Sequence, residues 1–288
     1  MKVTIFTRFW MCCVLFAASV VNSLAADRLV IIGEAVWGGW SISDGIIMSS
    51  TSNDVWKATT HLEADKGFKF LTTNDFGSLE YRAGDSDVTL AVDEATNLVS
   101  SEDNSKDNKF MVSESANYNI VCDLANKTIT VSKADYQDNA IKYNALWMVG
   151  SATSGGWSID QGTQLSQDAT NPLVYTATTY LSTGEFKVAT NKYRGFDQAF
   201  FMRDANDDSK VVLGGDDSKW NITEAGKYDV KLNTADMTIS IVKNVPSSIS
   251  SVEAEANAPV EYFTLDGKRV NNISAKGLYI KRQGGKAV

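Results

Sequence analysis

A five-residue segment, Gly38-Gly39-Trp40-Ser41-Ile42, returns later in the chain as Gly155-Gly156-Trp157-Ser158-Ile159. Gly33 and Gly150, and Trp40 and Trp157, stand at a common offset of 117 residues (150 − 33 and 157 − 40). The likeness extends well beyond this segment. Val55-Trp56-Lys57-Ala58-Thr59-Thr60 faces Val174-Tyr175-Thr176-Ala177-Thr178-Thr179, and Gly67-Phe68-Lys69-Phe70 faces Glu185-Phe186-Lys187-Val188. Near the end of each copy, Lys109-Phe110 answers Lys219-Trp220, Tyr118-Asn119-Ile120 answers Tyr228-Asp229-Val230, and Thr128-Ile129-Thr130-Val131 answers Thr238-Ile239-Ser240-Ile241. One domain has been copied, so the fold must close a core twice in tandem. The period is too long and the copies too few for a solenoid.

Each copy reads as short segments of Val, Ile, Thr and aromatics with polar and apolar residues alternating, separated by Asn, Asp, Gly and Ser clusters. No window sustains a 3.6-residue period. The expected fold is all-β: two tandem immunoglobulin-like β-sandwich domains, at 27–140 and 141–244, plus a small C-terminal β module. Residues 118–124 and 128–131 flank Ala125-Asn126-Lys127 as a closing hairpin. The Ser-rich stretch that follows Pro246 marks a linker over 245–259. Residues 260–288 then give a strand, an Asp266-Gly267 turn, and further strands through Lys276-Gly277-Leu278-Tyr279-Ile280.

Lys2 and Arg8, an apolar run over 9–18 and the small residues Ser23-Leu24-Ala25-Ala26 have the order of a secretory signal peptide, expected to occupy 1–26. That leaves Cys122 as the one cysteine of the exported chain, so no internal disulfide is expected. No convincing lipobox precedes a cysteine, and the chain is read as secreted or held at the outer membrane and cell surface. A formal net charge of -8 argues against a polyanionic partner, because phosphate recognition rests on clustered Lys and Arg. No nucleic acid and no transmembrane segment are expected.

Residues that could carry chemistry are sparse. His61, the one histidine, lies in a strand pattern without companion metal ligands and reads as a half-exposed strand residue. Asp204, Asn206 and Asp208 have the spacing of a calcium loop, but Ser209 stands where its glycine belongs and Gly215 where its bidentate Glu belongs. No nucleophile elbow, phosphate-binding glycine loop or cysteine pair is present. The expectation is no enzyme, no cofactor and no metal.

What recurs is an aromatic, a lysine and another aromatic: Trp40, Lys69 and Tyr81 in the first copy, and Trp157 and Lys187 in the second. There the second ring is open among Tyr193, Phe196, Phe200 and Phe201, with Tyr193 and Phe200 taken forward. In Phe68-Lys69-Phe70 the two-residue period turns both rings to one face and Lys69 to the other, so Lys69 and Lys187 are expected to be exposed. A flat ring suits the apolar C–H face of a pyranose, and a lysine suits its hydroxyls. The alternative is that Trp40 and Trp157 plug cores and the chain is a structural or interaction spacer.

Leu146-Trp147-Met148-Val149-Gly150-Ser151-Ala152-Thr153-Ser154-Gly155-Gly156-Trp157, with Asn171-Pro172-Leu173-Val174-Tyr175 and Leu181-Ser182-Thr183-Gly184-Glu185-Phe186-Lys187, resembles a repeat of the SusE/SusF family of surface starch-binding proteins. The resemblance covers both copies, about 29–133 and 146–243. It implies non-catalytic β-sandwich modules that hold starch or a related glucan for other surface glycan-uptake proteins, with Trp40, Lys69 and Tyr81 forming one site and Trp157 with Lys187 the other. The tail, from Tyr262 to Val270 and from Lys276 to Ile280, resembles the C-terminal sorting domains read by the type IX secretion machinery.

Overall fold

The structure, a computed structural model, describes residues 26–244 apart from 53 and 74, and 259–287 apart from 272, 274, 275, 284 and 285. The expected signal peptide, but for Ala26, and the expected linker, but for Pro259, lie outside the described residues. Every regular element described is a strand except two single-turn 3-10 helices, Ile42–Asp44 and Ile159–Gln161. No helix is long and apolar enough to cross a membrane among the described residues.

The first repeat runs through β1 (Val30–Gly33), β2 (Ile46–Ile47), β3 (Ser49–Ser52), β4 (Val55–Leu62), β5 (Phe68–Leu71), β6 (Glu80–Arg82), β7 (Val88–Thr89), β8 (Thr96–Asn97), β9 (Val99–Ser100), β10 (Phe110–Met111), β11 (Ala116–Asp123) and β12 (Thr128–Lys133). They form two sheets. One has the order β2-β1-β5-β10-β7, with β6 paired to β5 and β9 paired to β6, and the other the order β3-β4-β11-β12-β8. Strand β4 alternates Trp56, Ala58, Thr60 and Leu62 inward with more exposed residues between, as a sheet packed on one face requires. Between the sheets lie Ile31, Phe68, Phe70, Phe110, Tyr118, Ile120, Cys122 and Val131. The free Cys122 is buried there, and loss of water pushes its thiol pKa well up.

The second repeat runs through β13 (Ala145–Val149), β14 (Thr163–Gln167), β15 (Val174–Leu181), β16 (Gly184–Ala189), β17 (Phe200–Arg203), β18 (Val211–Leu213), β19 (Trp220–Ile222), β20 (Gly226–Asn233) and β21 (Thr238–Lys243). Here β14 pairs with β13 and then with β15, so one strand passes from sheet to sheet and joins them. In the first repeat the matching strand is interrupted at the buried Met48, between β2 and β3. The expected hairpin is present in both copies, closed by left-handed residues Lys127 (φ 53) and Met237 (φ 52). Tyr118 Oη donates to the Glu114 carbonyl at 2.8 Å and Tyr228 Oη to the Glu224 carbonyl at 2.6 Å. A tyrosine hydroxyl tied to backbone just upstream is a mark of immunoglobulin-like sandwiches.

The two repeats share a third apolar cluster. Val30 and Ile47, on the outer face of the first repeat's sheet, pack with Trp147, Val149, Ala189, Phe200 and Met202 on the outer face of the second repeat's sheet. Asn144 stitches the seam: its Nδ2 donates to the Ile47 carbonyl at 3.0 Å, and its Oδ1 accepts from the Thr59 amide at 3.1 Å. The continuous apolar runs at 29–32 and 146–149 therefore bury both faces of their strands.

The tail forms a separate unit beginning at Lys243. Its sheet has the order β23-β22-β24-β25, with β22 at Val260–Phe263, β23 at Arg269–Val270, β24 at Ile280–Gln283 and β25 at Lys286–Ala287. The Asp266-Gly267 turn joins the first two, with Gly267 at φ 86.

Candidate functional site

The repeated glycine-glycine-tryptophan segment builds the same loop twice. Gly33 N donates to Gly39 O at 3.0 Å and Gly150 N to Gly156 O at 2.8 Å, closing each loop before the 3-10 turn. The two glycines have different duties. A Cβ on Gly155 would sit 2.2 Å from the Gln161 carbonyl oxygen, and one on Gly38 2.5 Å from that of Asp44, so backbone passes backbone here. Gly39 (φ 57) and Gly156 (φ 58) occupy the left-handed region with open space around them. The following tryptophan is thereby lifted off the sheet: Trp40 is half-buried and Trp157 is 38% exposed. Neither belongs to a hydrophobic core.

Lys69 and Lys187 lie on the outer sheet faces, as the alternation predicts, yet they are only 5% and 6% exposed. The expectation of exposed lysines is therefore corrected. Period two decides which face a side chain takes, and loops from elsewhere in each repeat then cover that face. An ammonium so buried must be paired. Lys69 Nζ donates to Glu80 Oε2 at 2.7 Å and to Asp107 Oδ1 at 2.9 Å, and Lys187 Nζ donates to Asp217 Oδ1 at 2.9 Å.

Each aspartate also holds a second lysine: Lys109 Nζ lies 2.9 Å from Asp107, and Lys219 Nζ 2.7 Å from Asp217. Those second lysines reach the tryptophans, at 5.5 Å from the Trp40 ring centre and 5.8 Å from that of Trp157. Burial pushes the Asp107 carboxyl up, but hydrogen bonds from Lys69 and Lys109 outweigh it and hold the group at about 2. Hydrogen bonds from Lys219 and Lys187 lower Asp217 in the same way.

The second ring differs from expectation in both copies. Tyr81 pairs with Phe70, not with Lys69, and packs half-buried against the core of the first repeat, where desolvation raises its phenol pKa. It thus stands on the sheet face opposite Lys69 and is not brought to the Trp40 site. Phe76 takes the place beside Lys69, its ring centre 5.7 Å from Nζ and its side chain 50% exposed.

In the second repeat Phe196 is the matching exposed ring, at 56%, with its centre 5.3 Å from Lys187 Nζ. Phe200, taken forward as a surface ring, is only 4% exposed and cannot stack on a ligand. It lies beneath Phe196 with ring centres 5.9 Å apart, and Lys187 Nζ sits 4.1 Å from its centre. In the register Phe200 occupies the place that Glu80 holds in the first repeat. The first copy pairs its lysine with a second carboxylate where the other uses a ring face.

Trp157, Tyr193 and Phe196, with Ile159, Asp160, Lys192 and Arg28, line one shallow groove of about 420 Å³. Tyr193 is half-buried and carries the Arg28 guanidinium 4.1 Å above its ring centre. The sequence reading overlooked Asp107, Lys109, Asp217, Lys219 and Phe76. A signal was there: Asp107-Asn108-Lys109-Phe110 and Asp217-Ser218-Lys219-Trp220 share Asp-x-Lys-aromatic at aligned positions.

His61 is a partly exposed strand residue 3.2 Å from Asn117 Oδ1. Asp208 Oδ1 accepts from Arg203 Nη1 at 2.7 Å, so the calcium-like loop meets a guanidinium. No cluster of metal-ligating side chains occurs among the described residues.

A family model described as SusF/SusE starch specific CBMs, that is, carbohydrate-binding modules, matches residues 145–240. Among solved structures, SusF from Bacteroides thetaiotaomicron is similar at 14% identity and a TM-score of 0.28, over 84% of this chain and 51% of that one. This chain spans about half the length of that protein. No curated protein matches. Over residues 145–240, its second repeat, the chain is thus similar to the SusF/SusE carbohydrate-binding modules.

Proposed function

We propose that this chain is a non-catalytic glycan-binding protein that holds starch or a related glucan outside the cell through one aromatic platform on each repeat. The observation that carries the reading is the duplicated group of an exposed or half-exposed tryptophan, an exposed phenylalanine, and two lysines fixed by one aspartate. The match of the second repeat to starch-specific modules gives the glucan its place as first choice.

In this reading the C–H face of a glucose unit lies on Trp40 with Phe76, or on Trp157 with Phe196, and displaces water from both partners. Lys109 and Lys219, beside the tryptophan rings, donate to ring hydroxyls. Lys69 and Lys187 stay below and fix the aspartates that aim them. Because these lysines are held in place before binding, little side-chain entropy is lost on contact.

A single shallow site of this kind binds with a dissociation constant of about 0.1 to 1 mM, or about 4 to 5.5 kcal/mol. Engaging two sites on one polymer raises apparent affinity by about 10²-fold. The spacer reading expected both tryptophans inside cores, and their placement on the surface favours binding instead. The amino-terminal leader and the tail are read as export and sorting segments that deliver the modules to the surface, where other glycan-uptake proteins act on what they hold.

The test is retention of residues 27–288 on insoluble starch against cellulose and xylan. Starch-selective retention is expected. Equal retention on all three, or on none, would count against the starch reading.

A further inference from the structure

We infer that the glycan groove of the second repeat is a composite site completed by the first repeat, with Arg28 as a ligand-contacting residue. This rests on the platform reading above and adds a residue and a dependence to it. Arg28 stands two residues before β1, in the first repeat, yet its guanidinium lies over Tyr193 of the second and lines the same groove as Trp157 and Phe196.

Its chemistry there is unspent. Among the described residues Arg28 makes no side-chain hydrogen bond or ion pair, so the ring of Tyr193 anchors the cation while five N–H donors remain available. A guanidinium that stacks by its face presents its N–H edge sideways, here toward a groove bordered by two exposed rings. A sugar resting on those rings brings vicinal hydroxyls to that edge, and the planar fork suits a pair of oxygens.

The first repeat also holds the loop that carries Tyr193 and Phe196. Asn191 Nδ2 donates to the Ile42 and Ser43 carbonyls, each at 3.4 Å, while Asn191 Oδ1 accepts from the Tyr193 amide at 2.9 Å. Gln198 closes the same loop through Asn191 and Gly195. Phe200, beneath Phe196, belongs to the seam cluster together with Val30 and Ile47. The groove is thus built against the other repeat from below and from one side.

The experiment uses the full exported chain, residues 27–288, in a Trp40→Ala background so that only the second site reports. Maltoheptaose is titrated calorimetrically into that protein and into its Arg28→Ala, Arg28→Lys and Trp157→Ala derivatives. Arg28→Ala is expected to weaken binding about tenfold, as loss of charge-assisted hydrogen bonds does. Its melting temperature should stay unchanged, because Arg28 is only partly buried. Arg28→Lys, which keeps the cation on the ring but loses the fork, should recover only part of the affinity. Trp157→Ala should abolish binding. Unchanged affinity in Arg28→Ala, with binding lost in Trp157→Ala, would overturn the composite site and leave the platform reading standing. Unchanged affinity in both would overturn the platform reading itself, and the composite site with it.

Discussion

At the scale of single residues, the two buried lysines make opposite predictions from one motif. Lys69→Met leaves Glu80 in the interior with only Arg82 nearby, at 3.4 Å, and should destabilise by about 3 kcal/mol. Lys187→Met strands no buried carboxylate, since Asp217 is largely exposed and keeps Lys219, so its cost should stay below about 1 kcal/mol. Thermal melts of the two variants, side by side, check the contrast. The carboxylate of Asp107 adds a pH signature. Its folded pKa of about 2 lies below the unfolded value of about 4, so its contribution is fully present above pH 4 and is lost as pH falls through 2. The gap in melting temperature between the wild type and Asp107→Asn should be constant from pH 7 down to about pH 4.5 and should shrink below that. A gap that closes already at pH 5 would contradict the pairing. These pairings were only half legible in the sequence. Alternation told which face Lys69 takes, but Glu80 and Asp107 come from 11 and 38 residues away, and nothing local announces them.

At the scale of elements, the glycine-glycine-tryptophan loop was the most legible part of the site, because close approach and left-handed backbone are both written as glycine. Gly156→Ala forces a Cβ into the left-handed region and should cost about 1 to 2 kcal/mol. Gly155→Ala adds a clash with the Gln161 carbonyl, so the loop must shift and Trp157 with it. Both variants should lower glucan retention through the second site and leave the first site unchanged, as read in a Trp40→Ala background and its reverse. Tyr81 shows what pattern reading lacks at this scale. Its strand was foreseeable, but its register was not, and pairing with Phe70 instead of Lys69 moves it to the opposite face of the sheet. Phe76 and Phe196 lie in loops, where no periodicity applies, and only their proximity to a buried lysine brings them into the site.

At the scale of the whole molecule, the repeats are copies in sequence but not independent bodies. Trp147, Val149 and Met202 would face water in an isolated second repeat, and in the intact chain they are covered at the seam. Burying a tryptophan of about 200 Å² is worth roughly 5 kcal/mol before entropy is counted. The two repeats should therefore melt in one calorimetric transition, and Trp147→Ala should both lower it and split it in two. Four-residue apolar runs at 29–32 and 146–149 carried this information, since a strand wetted on one face alternates and these do not. The measurement that bears most directly on function is calorimetric titration of residues 27–288 with maltoheptaose, for the wild type, Trp40→Ala, Trp157→Ala and the double variant, each shown to be folded by its melting curve. Two weak sites in the wild type, one in each single variant and none in the double variant are expected. Equal heats from all four folded proteins would contradict the claim that these tryptophans are the binding platforms.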